Sequence, residues 1–322
     1  MDEKIIAVLN EMSEYLSISQ MKKLQEVILK TFSENEVKKT DHSNLEYLQL
    51  FIEAKRIEGC SERTIQYYKS TAEDLLSKIE ISVRKISTEE IRSYLSEYQK
   101  ESKCTNVTID NIRRNLSSFF SWLEEEDYIL KSPMRRIHKI KTKTVVKNVI
   151  TDEGIEKLRD HCQKTRDLAM IDLLYSTGIR VGELVNLNID DIDLEGRECV
   201  VYGKGDKERK VYFDAKTKVH LKKYISERED NNKALFVTLD APHDRLKISG
   251  VEIRLRNLGK KLALERIHPH KFRRSMATRA IDKGMPIEQV QKLLGHSQID
   301  TTMQYAMVNQ NNVKTAHQKY MA

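Results

Sequence analysis

In the stretch HPHKFRRSMATRAIDKGMPIEQVQKLLGHSQIDTTMQY, His270, Arg273, His296 and Tyr305 stand at the ends and junctions of what otherwise reads as three amphipathic helices. Imidazoles move protons, a guanidinium grips an anion, and a phenol can attack as a nucleophile. Upstream, Arg180 has Glu183 three residues on, and Lys204 stands between two glycines. Taken singly, each has an ordinary explanation. His296 reads as a polar cap, Tyr305 as a half-buried aromatic, Arg273 as a salt-bridging cation, and Lys204 as a hairpin-turn lysine with Lys207 as a close competitor. The information is in the set.

The elements that must position these groups can be read from local pattern. Pro286 suits a first helical position, Val290, Leu293 and Leu294 supply a buried face, and Gly295 is the stop, so His296 falls just past a helix end. Ser297 can cap the next helix, which carries Tyr305 with Ile299 and Met303 as apolar neighbours. Further upstream, a helix over 165–175 is stopped by Gly178, and 180–187 forms a short one. There Glu183 shares a helical face with Arg180 and can orient its guanidinium. ECVVYGKGDKERKVYF switches to strand residues on either side of Gly203-Lys204-Gly205-Asp206, a hairpin signal. Helices are expected over 217–229, 249–263, 271–283, 287–294 and 298–307. The region 149–322 is therefore a mainly α domain with a small β-hairpin or sheet, and its tail, with Val308, Val313, Ala316 and Tyr320, adds one further helix or frays.

Ahead of it, 43–132 holds four helical patterns. One lies around Leu48, Phe51 and Ile52, one comes after Ser61, and one begins at the capping box Ser87–Glu90. The last aligns Ile109, Ile112, Leu116, Phe119 and Leu123, with Arg113 and Arg114 beside them. This reads as a small all-helical domain. The stretch 131–147 has seven Lys or Arg, including Arg135, Arg136, Lys139, Lys141 and Lys143, and no carboxylate. It reads as an extended basic linker over 133–148, suited to tracking a phosphate backbone or simply to connecting domains in solvent. Residues 1–42 form an N-terminal extension of two short amphipathic helices. Its nearly balanced charge suggests packing or self-association more than a DNA arm.

Composition agrees with this organisation. The 322 residues favour two domains over one. With 56 Lys and Arg against 49 Asp and Glu, the net charge is +7 and the pI about 9.0, a sign that favours a polyanion partner. Cys60, Cys104, Cys162 and Cys199 are widely spaced with no CxxC pair, no apolar leader precedes them, and no run of 18 apolar residues occurs. Those features point to a reduced, cytoplasmic protein with no membrane span and no metal site.

The blocks STGIRVGEL, GKGDKER, HKFRRSMAT and LGHSQIDTTMQY, in that order, resemble the tyrosine recombinase (phage integrase) family, and the Xer-like recombinases within it. The resemblance covers the whole second domain, and the nine-residue step from His296 to Tyr305 is part of its specificity. It implies an active site of Arg180, Lys204, His270, Arg273, His296 and Tyr305, with Glu183 beside the first arginine. The 43–132 segment is then a core-binding, SAM-like DNA-binding domain. In this chemistry two forked arginines meet the non-bridging phosphate oxygens, making a metal or other cofactor unnecessary. Tyr305 forms a 3′-phosphotyrosyl bond, Lys204 protonates the leaving 5′ oxygen, His270 serves as acid, base or phosphate donor, and His296 donates to the phosphate. Each such contact contributes about 2–4 kcal/mol in the transition state. Many relatives have a second His directly after the HxxR arginine, where this chain has Arg274. His268 is a rival to His270 that the HxxR spacing disfavours.

The expected partner is double-stranded DNA with specific recombination sites, clamped between the two domains. A homo-tetramer forms in the synaptic complex, and the chain is a monomer or dimer off DNA. Rival readings are a type IB topoisomerase-like nicking-closing enzyme and a non-catalytic architectural DNA-binding protein. Target sequence and biological task cannot be read from the residues.

Overall fold

The computed structural model describes residues 3–34, 42–142, 148–203 and 208–306. The chain divides into two compact units, 1–144 and 145–322.

In the first unit, α1 (Glu3–Met12) and α2 (Ile18–Glu34) pack on each other, with Leu9 buried and Ile6, Val8, Ile18 and Val27 exposed. Four further helices come next: α3 (Asn44–Ile57), α4 (Glu62–Lys78), α5 (Thr88–Ser102) and α6 (Asn106–Glu125). Each starts at a Ser or Thr whose hydroxyl accepts an otherwise orphaned backbone N–H, and Ser43–Glu46 and Ser87–Glu90 close full capping boxes. Their apolar faces meet in an aromatic core, where Phe51 lies 5.2 Å from Phe119 and 5.6 Å from Trp122 between ring centroids.

The basic stretch departs from the extended connector expected of it. Pro133–Arg136 forms a short 3-10 turn with Met134 buried, and Ile137 and Ile140 pack on the aromatic core. Asp110 Oδ1 accepts the Ile140 N–H at 3.1 Å, and Asn106 Nδ2 donates to the Lys141 carbonyl at 3.2 Å. The apolar residues threaded among the cations dock the chain on α6 as far as 141, because burying them removes their surface from water.

The second unit contains α7 (Asp152–Asp160), α8 (Thr165–Thr177) and α9 (Val181–Asn186), then a three-stranded antiparallel sheet. The sheet runs β1 (Ile192–Asp193), β2 (Glu198–Tyr202) and β3 (Glu208–Tyr212) in sequence order, with Val201 opposite Arg209. The helices α10 (Ala215–Ser226), α11 (Ile248–Lys261), α12 (Pro269–Asp282), α13 (Ile287–Leu294) and α14 (Ile299–Ala306) complete it. The fold is mainly α with a small sheet, as expected. Ala169, Met170, Leu173 and Leu174 of α8 are fully buried, and α8 is packed by α10 and α12. Pro286 precedes the first turn of α13 and does not enter it. A second, much smaller core of Met276, Ala277, Val290 and Leu294 joins α12 to α13, and Tyr305 packs against it. Lys204, its competitor Lys207, Lys143, and the tail residues Val308, Val313, Ala316 and Tyr320 lie outside the described residues. Among the described residues, no helix is long and apolar enough to cross a membrane.

Candidate active site

Helix α8 ends because Gly178 takes the left-handed conformation, with φ 64°. A side chain there would also be crowded out, since an added Cβ would sit 2.5 Å from Met276 Cε. The chain leaves this stop in extended form and delivers Arg180 as the N-cap of α9. Arg180 is thus not on a helical face with Glu183, as the spacing predicted. The pairing arises from the Glu half of a capping box, in which Glu183 Oε2 accepts the Arg180 backbone N–H at 2.8 Å and Oε1 accepts its Nη1 at 2.9 Å.

The other anchor is the C-terminus of α13, stopped by Gly295 at φ 63°. Its last carbonyls have no partner within the helix and carry the negative end of its dipole. Three successive ones are taken by three arginines. Leu293 O accepts from Arg209 Nε at 3.0 Å, Leu294 O from Arg273 Nη2, and Gly295 O from Arg180 Nη2 at 3.1 Å. Arg273 also donates Nη1 to the Gly178 carbonyl at 2.7 Å, so its fork ties the ends of α8 and α13 together. It is 2 % exposed, and burial, reinforced by the nearby Arg180, lowers its pKa to about 10, still a cation at neutral pH.

Among the described residues, Glu183 is the carboxylate hydrogen-bonded to this cluster. Arg209 forks onto it with both contacts at 2.7 Å. Burial pushes the carboxyl up, but the Arg209 fork and the Arg180 N–H outweigh it and hold the group below the usual carboxylate range.

The ring of His296 has both nitrogens engaged. Its Nε2 lies 3.0 Å from Arg273 Nη2, and a guanidinium only donates, so Nε2 accepts. The proton therefore sits on Nδ1, which donates at 2.8 Å to Oγ1 of the fully buried Thr302. Burial, then Arg273, Arg180 and Arg209, lowers its pKa to about 4, so the ring is neutral. Tyr305 lies one turn beyond Thr302, with its ring centroid 6.1 Å from that of His296. The ionised phenol would raise both Arg273 and Arg274, which places it in their field. His270 is exposed in the first turn of α12. Partial burial, then Arg273, Arg180 and Arg274, holds it below its ordinary value. Arg274, the departure from the usual HxxRH pattern, donates Nη1 to the Asn148 carbonyl at 2.8 Å and ties α12 to the start of this unit.

The structure therefore brings together Arg180, Glu183, Arg273, His296 and Tyr305, with His270 in the field of the arginines. Two members of the cluster were missed from sequence. Thr302 is marked only by its place in the TTMQY block. Arg209 ends the GKGDKER block, and strand alternation puts it on the same inner face of β3 as the buried Val211, an unusual place for a cation. The candidate DNA-contacting cations divide. Arg113 is held by Asp110 at 2.8 Å and Arg135 by Glu124 at 2.5 Å, while Arg114 bonds Asn111 beside Asp110. Arg136, Lys139 and Lys141 are exposed.

Comparison with known proteins gives a consistent answer. Residues 148–312 match the phage integrase family, and residues 47–130 match the phage integrase N-terminal SAM-like domain. Tyrosine recombinase XerC of Oceanobacillus iheyensis is 30% identical over 85% of this chain and 95% of its own length. Tyrosine recombinase XerD of the same organism is 32% identical over 86% and 98%. Among solved structures, XerH site-specific recombinase bound to palindromic difH substrate covers 98% of this chain and 94% of its own. It has a TM-score of 0.68 at 21% identity, a likeness of fold.

Proposed function

This chain belongs to the phage integrase family of tyrosine recombinases, which break and rejoin DNA at specific sites, and we propose that Tyr305 supplies its nucleophile. The phenol oxygen attacks the scissile phosphorus, the bond to the 5′ oxygen breaks, and the DNA 3′ phosphate is left on Tyr305. Lys204, which falls between β2 and β3 in the sequence, gives the leaving 5′ oxygen its proton, and neutral His270 accepts the proton of the phenol. Arg180 and Arg273 meet the charge that builds on the non-bridging oxygens, so the step proceeds without a metal ion. The observation that carries this reading is the convergence of Arg180, Arg273, His296 and Tyr305 on the ends of α8 and α13.

In the present arrangement His296 works through Arg273. Donation to the phosphate requires its proton to move from Nδ1 to Nε2 and the Arg273 contact to open. Strand exchange between two sites assembles a homo-tetramer from subunits that are monomers or dimers off DNA, and the enzyme acts in the cytoplasm on chromosomal or mobile-element DNA. Exposed Arg114, Arg136, Lys139 and Lys141, with Lys143, track the phosphate backbone.

A nicked duplex carrying the target site, incubated with the protein in EDTA, yields a covalent protein–DNA band. Tyr305→Phe abolishes that band and leaves duplex binding intact. Tight binding by the wild type at authentic sites with no adduct would sink the proposal, and relaxation of supercoils without recombinants from two-site DNA would favour a nicking-closing enzyme.

A further inference from the structure

We propose that Arg209 is a positioning residue for strand cleavage: it holds Glu183 so that this carboxylate can aim Arg180 without cancelling its charge. The inference rests on the active-site assignment above and adds a residue to it. Glu183 and Arg209 have side chains only 4% and 13% exposed, so their charges are poorly screened by water. Without Arg209, Glu183 would cancel one of the two cations, Arg180 and Arg273, that face the position of the anionic phosphate. The guanidinium of Arg209 offsets the carboxylate's charge, and its fork occupies both carboxylate oxygens, fixing the plane in which Arg180 Nη1 meets Oε1.

Arg209 also joins two parts of the site. Its Nε holds the Leu293 carbonyl, next to the carbonyls that hold Arg273 and Arg180. An added Cβ at Gly295 would come within 3.0 Å of Arg209 Cδ, so the side chain lies tightly along the end of α13. Since Arg209 lies opposite Val201 in the sheet, this anchor fastens β3, the strand that follows Lys204 in the chain, to the helix end that presents His296.

The test is single-turnover adduct formation on a nicked duplex by the full-length wild type, R209Q, R209K, E183Q and E183Q/R209Q. A second duplex carries a methylphosphonate at the scissile position, which removes the phosphate charge. R209Q is expected to slow cleavage on the order of 10–100-fold with DNA affinity unchanged, as for other groups that act through a neighbour, and R209K to fall between. R209Q should slow E183Q far less than it slows the wild type, because no carboxylate is left to neutralise and only the Leu293 anchor is lost. The R209Q deficit should shrink roughly tenfold on the methylphosphonate duplex, where a lost cation matters less.

R209Q as fast as wild type, losses that multiply in the double variant, or a deficit of the same size on both duplexes would each overturn the proposal. Should R209Q fail to fold by circular dichroism, E183Q against E183Q/R209Q decides alone, since neither buries an unpaired carboxylate. Wild-type adduct that disappears in Tyr305→Phe keeps the nucleophile assignment standing whichever way Arg209 falls.

Discussion

The arginines of the N-terminal unit and those at the end of α13 are held by different partners. Arg113 and Arg135 end on the carboxylates of Asp110 and Glu124, and each pair is locally neutral. Arg180, Arg209 and Arg273 end on backbone carbonyls, with Glu183 in contact with two of them. A carbonyl fixes a guanidinium without cancelling its charge, whereas a carboxylate fixes and discharges it. One residue type thus serves architecture in the first unit and, in the proposed mechanism, anion binding in the second. Elsewhere in the second unit the first rule returns, as with Arg159 and buried Asp172.

Removing a cation from each region gives the largest test of this contrast. Arg273→Ala should slow adduct formation on the order of 10²–10³-fold. It strands the Gly178 and Leu294 carbonyls and should lower the urea-unfolding free energy by about 2 kcal/mol. Arg113→Ala should leave the cleavage rate unchanged while still costing stability, because Asp110 loses its partner. Equal kinetic damage from the two would break the comparison.

Next in size is the stop that aims Arg180. Gly178→Ala adds a Cβ against Met276 at φ 64° and should destabilise the protein by about 1–3 kcal/mol in urea titrations, with cleavage slowed in the fraction that stays folded. Smaller again is the effect on duplex binding. Arg136→Ala should reduce the slope of log affinity against log salt by about 1, and Arg135→Ala by less, since its charge is already spent on Glu124.

The smallest expected effect is on pH. His296 titrates near 4 in the folded chain against an ordinary 6.5, so as pH falls the unfolded chain takes up the proton first. Stability from the neutral ring is full above about 6.5 and is lost as pH falls toward about 4. With allowance for solvent contact, His296→Gln should flatten the fall in unfolding free energy between pH 7 and 4.5 by about 1 kcal/mol relative to wild type.

Much of the site was legible because its framing is local. Gly178 and Gly295 announce helix ends, and a helix end fixes the direction in which the next few residues leave it, so the placement of His296 past α13 could be read from a short stretch. Glu183 was matched with Arg180 through helical spacing, yet the bond is made by a cap, a reading that needed the boundary of α9 to one residue. The docking of 133–141 on α6 was hidden because charge dominates that stretch, while Met134, Ile137 and Ile140 decide where it lies. Arg209 was within a quoted block, but its value depends on which face of β3 turns inward.

The order of the elements, the turns that stop them and the identity of the groups available for chemistry were determined by the sequence itself, since caps, strand alternation and glycine conformations act within a few residues. Which cations keep their charge was decided only by the tertiary structure. Arg180 meets Gly295 across 115 positions and Arg273 meets Gly178 across 95. Whether a guanidinium ends on carbonyls, shares a carboxylate with a second arginine or has one to itself depends on what distant segment the fold sets before it, and that choice separates a neutralised arginine from one with charge to spare.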